Sequence, residues 1–221
     1  MATMGQKSSL PPTRPFCLIG ADAGHDQAPE RNSFQRVVLS CDPAGKAGAH
    51  NDYTAITMVG VQNQALHLLH VNRGHWTVME MRDQIIALAA QWRVDLVIVE
   101  DTSSGMGLIQ LLKEQSRLNV VGRKPDADKE TRMCRQQGRF EAGRILLPNE
   151  APWLADFEKE LLDFPGGRYD DQVDALLLFL EWFAQNERHL QPMNPCPPVI
   201  VRREPRWNWD APMRDEWSAQ W

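Results

Sequence analysis

No run of about 18 apolar residues occurs anywhere in the 221, so no membrane-spanning helix is expected. Residues 1–15 lack the charged start and apolar stretch of a signal peptide, which makes the cytoplasm the expected location. Cysteine is scarce: Cys17, Cys41, Cys134 and Cys196 show no C-x-x-C spacing, against both a zinc knuckle and a disulfide framework. No two histidines stand at i, i+4, so a zinc site is not expected. A phosphate-binding loop of the G-x-x-x-x-G-K-[ST] type is also missing. The only Gly-Lys, Gly45-Lys46, is followed by Ala47 and lacks a glycine five residues earlier. Positive charge is not in excess either, with 24 Lys and Arg against 29 Asp and Glu for a net −5. That balance alone does not exclude a nucleic-acid partner, because binding depends on where the charges sit.

What is present is a core-forming chain, 43% hydrophobic, of a length suited to one compact domain with appended tails. Residues 1–34 are polar and proline-bearing and read as an irregular lead-in. Arg36-Val-Val-Leu-Ser-Cys-Asp42 is a β-rich run ending on an acid; a glycine-rich turn and two further β-type runs, 53–61 and 64–73, follow. Short connections between them predict an antiparallel three-strand meander. Apolar residues at helical spacing predict a helix over 77–92. Val94-Asp-Leu-Val-Ile-Val-Glu100 has the β-branched character of a strand buried on both faces. Helices are expected at 105–117, 126–142, 151–162 and 170–187, with short strands at 118–122 and 145–147. The resulting class is α/β, a mixed sheet with helices on its faces, over residues 35–189. Residues 190–221 carry Pro192, Pro195, Pro197, Pro198, Pro205 and Pro212 with Trp207, Trp209, Trp217 and Trp221, and read as a Pro/Trp-rich tail.

Acids gather where these elements end. Asp42 closes the first strand, Glu100 and Asp101 close the central parallel strand, and Asp170, Asp171 and Asp174 open the last helix. Hard divalent cations such as Mg²⁺ and Mn²⁺ take carboxylate oxygens. Two such ions about 4 Å apart activate a water and stabilise the leaving oxygen of a phosphodiester. Asp171 and Asp174 are i, i+3 on a helix and can face one way, as can Asp170 and Asp174 at i, i+4. Helix capping and turn formation are the ordinary alternatives for each acid. Asp52 and Asp95 read as turn or surface acids. Between residues 123 and 144, basic residues outnumber acids; Arg123, Lys124, Lys129, Arg132 and Arg135 are the candidates for contact with a phosphate backbone, against the plainer reading of a solvated amphipathic helix.

Ser40-Cys-Asp-Pro-Ala44, Asn51-Asp-Tyr-Thr54, Val97-Ile-Val-Glu-Asp-Thr-Ser-Ser-Gly105, Lys124-Pro-Asp-Ala-Asp-Lys129, Phe140-Glu-Ala-Gly-Arg144, Phe164-Pro-Gly166 and Asp170-Asp-Gln-Val-Asp-Ala175 occur in unbroken order. This series resembles the C-terminal nuclease domain of tailed-phage terminase large subunits, over roughly residues 36–185. The resemblance implies a ribonuclease H-like fold and metal-dependent cutting of double-stranded DNA with little sequence preference during genome packaging. It implies Asp42, Glu100 and one of Asp170 and Asp171 as the catalytic metal ligands, Asp171 being the first choice. Asp174 is a possible fourth, and Asp101 a competitor of Glu100. Two Mg²⁺ or Mn²⁺ ions, and Lys129 and Arg132 at phosphate, are implied with them. The expected setting is a bacterial host cell, with a phage or prophage gene. Partners implied besides DNA are a small terminase subunit, a portal, or a separate ATPase subunit, since the Walker motifs of that family are missing here. A junction-resolving or transposase-type nuclease of the same fold is the alternative enzyme. A non-catalytic module docking to portal or capsid is the alternative of another class.

Overall fold

The computed structural model describes residues 30–44 and 53–190. The glycine-rich turn with Gly45, Gly48 and Asp52 lies outside the described residues, as do the lead-in up to residue 29 and the Pro/Trp-rich stretch from 191.

Strands β1 (Arg36–Asp42), β2 (Thr54–Gln62) and β3 (Ala65–Gly74) form the expected antiparallel meander. Asn63 makes the tight β2–β3 turn at φ 56, a backbone shape asparagine tolerates better than most side chains. Helix α1 (Val78–Trp92) begins with a reciprocal cap between Thr77 and Glu80. It leads into β4 (Leu96–Glu100), which lies parallel to β1 and pairs Cys41 with Val99. Then come α2 (Ser103–Gln115), β5 (Val120–Arg123), α3 (Lys129–Glu141), β6 (Ile145–Leu146), α4 (Leu154–Asp163) and α5 (Asp171–Leu190). The sheet runs β5-β4-β1-β2-β3-β6, with β5 and β6 joining as parallel edges.

Side chains alternate across this sheet, and each face is covered by a different set of helices. Val37, Leu39, Cys41, Val97 and Val99 point to the face packed by Ile85 of α1 and Leu108 and Leu112 of α2. Val38, Leu96, Ile98, Val59 and Leu68 point to the opposite face, against Val173, Leu176, Leu177, Leu180 and Phe183 of α5. The central strands are therefore buried on both sides, as a run of β-branched residues requires.

Some boundaries differ from the sequence reading. Helix α3 starts at Lys129 rather than 126, because the Asp128 carboxylate accepts from the Thr131 backbone N–H and caps it. The ordered domain also reaches back into the expected lead-in. Phe34 is buried, and Arg31 donates to Asp95 at 2.7 Å. Asp95, expected as a plain turn or surface acid, also accepts from the Val37 backbone N–H at 2.7 Å, so it straps the start of β1 to the α1–β4 connection.

Candidate active site

The alternation that divides the core also sorts the acids. Asp42 continues the face of Val38 and Ser40, and Glu100 continues that of Leu96 and Ile98. Because β1 and β4 are neighbours in parallel register, the two carboxylates finish side by side on the α5 face. Asp101 is one residue further and turns the other way. It is exposed, and it lines an open groove with Met106, Ile109, Gln110 and Gly122 beside α2. The structure thus separates Asp101 from the acids expected beside it, and Glu100 is the member of that pair that faces α5.

Helix α5 is seated so that its first turn meets this edge. The Ser40 hydroxyl donates to the Ala175 carbonyl at 2.7 Å and lies 2.7 Å from the Thr57 hydroxyl. Ser40 is two residues before Asp42 on the same face and Ala175 directly follows Asp174, so this buried contact registers one acid against the other. At the N-terminus of α5, the buried Glu160 of α4 accepts from the Gln172 N–H at 2.6 Å and the Val173 N–H at 3.2 Å. It also accepts from the Gln172 side-chain amide at 2.6 Å and Arg73 at 3.2 Å. Glu160 therefore satisfies otherwise unpaired helix donors and fixes the turn that carries Asp171 and Asp174. On the other side, Gly105 lets α2 close onto the end of β4. A Cβ there would stand 1.8 Å from the Glu100 carbonyl oxygen, so no other residue fits without moving the strand end.

The electrostatics record the crowding. Burial pushes the Asp42 carboxyl well above the usual carboxylate range, and the charges of Glu100, Asp174 and Asp171 push it further against the pull of Arg132. Burial also raises Glu100, with Arg132 opposing and Asp174 adding. Asp174 is raised by burial against the opposing charge of Lys129. Among the described residues neither Asp42 nor Glu100 meets a side-chain hydrogen-bond donor, which leaves both carboxylates for an outside partner. Asp170 and Asp174 are differently placed: the Lys129 ammonium is paired with Asp170 and stands 3.3 Å from Asp174. Among the described residues no three Asp, Glu, His or Cys side chains stand as a ligand-ready cluster. The acids are close enough to repel one another without closing on a single point.

The basic stretch divides into buried and exposed members. Arg132 is 3% exposed, with Nη1 3.5 Å from Asp174 and Nε 3.2 Å from Glu181. The guanidinium expected at phosphate is instead an internal counter-charge behind the acids. Arg123 stands 3.9 Å from Glu181 and donates to Gln185 at 2.9 Å. Arg135 is exposed and pairs with Asp126 at 2.7 Å, and Lys124 is exposed as well. Glu181 went unremarked in the sequence, although a carboxylate inside the apolar run 175–183 is the signal that announces a buried ion pair.

Residues 39–182 match the family model described as the terminase RNaseH-like domain. The chain belongs to that family. Among solved structures, this terminase domain is similar to the large terminase nuclease from thermophilic phage G20c with bound zinc. That likeness has 18% identity, 67% of this chain and 81% of that chain covered, and a TM-score of 0.51. It is also similar to the large terminase from a second thermophilic bacteriophage, at 14% identity and a TM-score of 0.53. Here 68% of this chain is covered but only 40% of the phage chain, so the chain spans under half of that relative. At such identities these likenesses bear on the fold alone. A comparison with curated proteins finds no match. Among the described residues no helix is long and apolar enough to cross a membrane.

Proposed function

We propose that this terminase domain is a metal-dependent endonuclease that cuts double-stranded DNA with little sequence preference, as genome packaging requires. The observation that carries the reading is the convergence of Asp42, Glu100, Asp171 and Asp174 from β1, β4 and α5 on one sheet edge, where their charges oppose one another. A donor set of carboxylate oxygens without thiolate or imidazole fits a hard cation such as Mg²⁺ or Mn²⁺. The zinc held by the G20c nuclease supports a divalent site in this fold. Asp42, Glu100, Asp171 and Asp174 would hold two ions, with Asp170 kept beside them by Lys129. Bound there, the ions supply an activated water and charge stabilisation for phosphodiester hydrolysis. The protein's own residues do the rest: Ser40 and Glu160 hold the acids in register, and Arg132 offsets part of their charge. Exposed Lys124 and Arg135, with Lys129 and Arg123 at the cleft, are the phosphate contacts of choice, and nonspecific contact of this kind is salt-sensitive. The proposed setting is the host-cell cytoplasm, with an ATPase subunit, a small terminase subunit or a portal as partner.

The test combines cleavage with melting. Plasmid DNA should be nicked and cut with Mg²⁺ or Mn²⁺, and Asp42→Ala should abolish cutting while the chain stays folded. A cation that binds only the folded state raises Tm, by an amount equivalent to about 2.7 kcal/mol at 100 times its Kd. The rise should shrink in Asp42→Asn and Asp171→Asn. Unchanged cleavage by folded Asp42→Ala would remove this residue from the site. A docking module without catalysis would show no cutting at all.

A further inference from the structure

Beside the acids, on the flank away from α3, lies a group of rings that the sequence did not announce. Tyr53 directly precedes β2 and shares the face of Ala55, the residue paired with Asp42. Arg73 on β3 pairs with the other side of Ala55. Asp42, Ala55 and Arg73 thus form a row across three strands, with Tyr53 at the rim. The Tyr53 ring stacks on His75, centroids 4.1 Å apart and planes 28° from parallel. It meets Tyr169 edge-on at 5.3 Å, and Tyr169 is the residue before Asp170. The Arg73 guanidinium lies 5.0 Å from the Tyr53 centroid and 5.6 Å from that of Tyr169. Arg73 is already committed to Glu160 at 3.2 Å and Asp156 at 3.5 Å, so it stiffens the cluster rather than offering a free charge. Arg168, by contrast, is exposed over Tyr169 at 5.0 Å, and among the described residues no carboxylate pairs with it.

The geometry points to a nucleobase-stacking site here: Tyr53, His75 and Tyr169, with Arg168 at the backbone, receive an unpaired base of the DNA strand that runs past Asp42. Tyr53 and Tyr169 are partly buried and their rings are braced, whereas His75 is the exposed end of the stack. A base laid on His75 extends a ladder already ordered in the protein, so little conformational entropy is lost on binding. Aromatic stacking of this kind is indifferent to base identity, because every base has a π face. Bases within a duplex are already stacked on their neighbours, so the site gains only from a base that has left the stack. Its neighbour Asp42 would then lie next to DNA that is locally opened, and the flank opposite the basic stretch of α3 acquires a contact of its own. This assignment rests on the nuclease reading for the identity of the ligand.

The experiment uses the full chain in EDTA, where nothing is cut, and two short duplexes carrying 2-aminopurine, one at an unpaired position and one fully paired. The unpaired probe should be quenched on binding. His75→Ala should abolish the quench and weaken binding of that DNA about tenfold, within the range of single stacking contacts. Affinity for the paired duplex should stay the same. Tyr53→Leu should act likewise, and Tyr53→Phe, which keeps the ring, should bind and quench as the parent does. Equal losses on both DNAs would overturn the assignment in favour of phosphate contact. No loss on either in His75→Ala, whose exposed site tolerates truncation, would overturn it outright. The two readings fail separately. Quenching without any metal-dependent cutting sinks the nuclease and keeps the stacking site. Cutting without quenching does the reverse.

Discussion

The two faces of the sheet solve opposite problems with the same strands. Against α1 and α2, β1 and β4 present Leu39, Cys41, Val97 and Val99, and Leu108 and Leu112 fill the space with no charge among them. Against α5 the same strands begin apolar, with Val38, Leu96 and Ile98, and finish on Ser40, Asp42 and Glu100. Arg132 and Glu181 are buried behind these acids as a pair, 4% and 5% exposed in their side chains. One face holds the fold together by excluding water; the other accepts buried charge to place carboxylates where a cation can reach them. A single peptide unit separates the two regimes, for Glu100 belongs to the second and Asp101 to the open side of the first.

The largest expected effect follows from that last point. Glu100→Gln should lower cleavage by more than the roughly 10–100-fold typical of groups that only support a metal ligand. Asp101→Asn should leave the rate as it was. Equal losses in both variants, measured on supercoiled plasmid, would mean that the strand end is not read by alternation.

Next comes the buried charge. Arg132→Met leaves Glu181 and Asp174 buried without their guanidinium and should cost about 3–5 kcal/mol in urea unfolding. Adding Glu181→Leu should recover much of that loss, because the orphaned acid goes with its partner. A single-variant cost below about 1 kcal/mol would place the pair in contact with water. The apolar face gives the control. Leu108→Ala should cost about 2–5 kcal/mol while leaving the metal-induced rise in Tm intact.

The smallest effect concerns a pair at the rim of the α5 face. Glu187 accepts from Arg139 at 2.8 Å, and this hydrogen bond, against a small opposing effect of burial, holds its carboxyl below the usual range. A carboxyl lowered by folding stabilises the fold above its unfolded pKa and loses that contribution as pH falls through its folded value. Glu187→Gln should therefore cost less than about 1 kcal/mol at neutral pH, with the difference from the parent vanishing in acid. A difference that grew in acid would reverse the sign of this linkage.

The sequence carried the element order well, because strand and helix periods are local and helix starts such as the Thr77 cap are readable. It also brought Asp42, Glu100 and the acids opening α5 to notice as features of element ends. It left Glu100 and Asp101 unresolved, since the facing helix must be known before alternation selects one. Arg132 was misassigned for a related reason. The buried stripe of α3 is Arg132, Met133, Gln136 and Phe140, and two polar members made it read as a solvated face. Glu160 joins β3, α4 and α5, and the Tyr53 cluster joins the β2 and β3 ends to the approach of α5. Such meetings leave no trace in local pattern.

The Ser40–Ala175 hydrogen bond spans 135 positions of chain. The meander and its parallel neighbour arise early in synthesis, when Asp42 and Glu100 are already adjacent, but the acids of α5 emerge only near the end of the domain. A nascent or truncated chain that stops before residue 171 holds half of the carboxylates and none of the cap that orients the rest. On the proposed function, cutting capacity then appears in one step with the docking of the last helix, and partly made chains do not threaten the DNA of the cell that makes them.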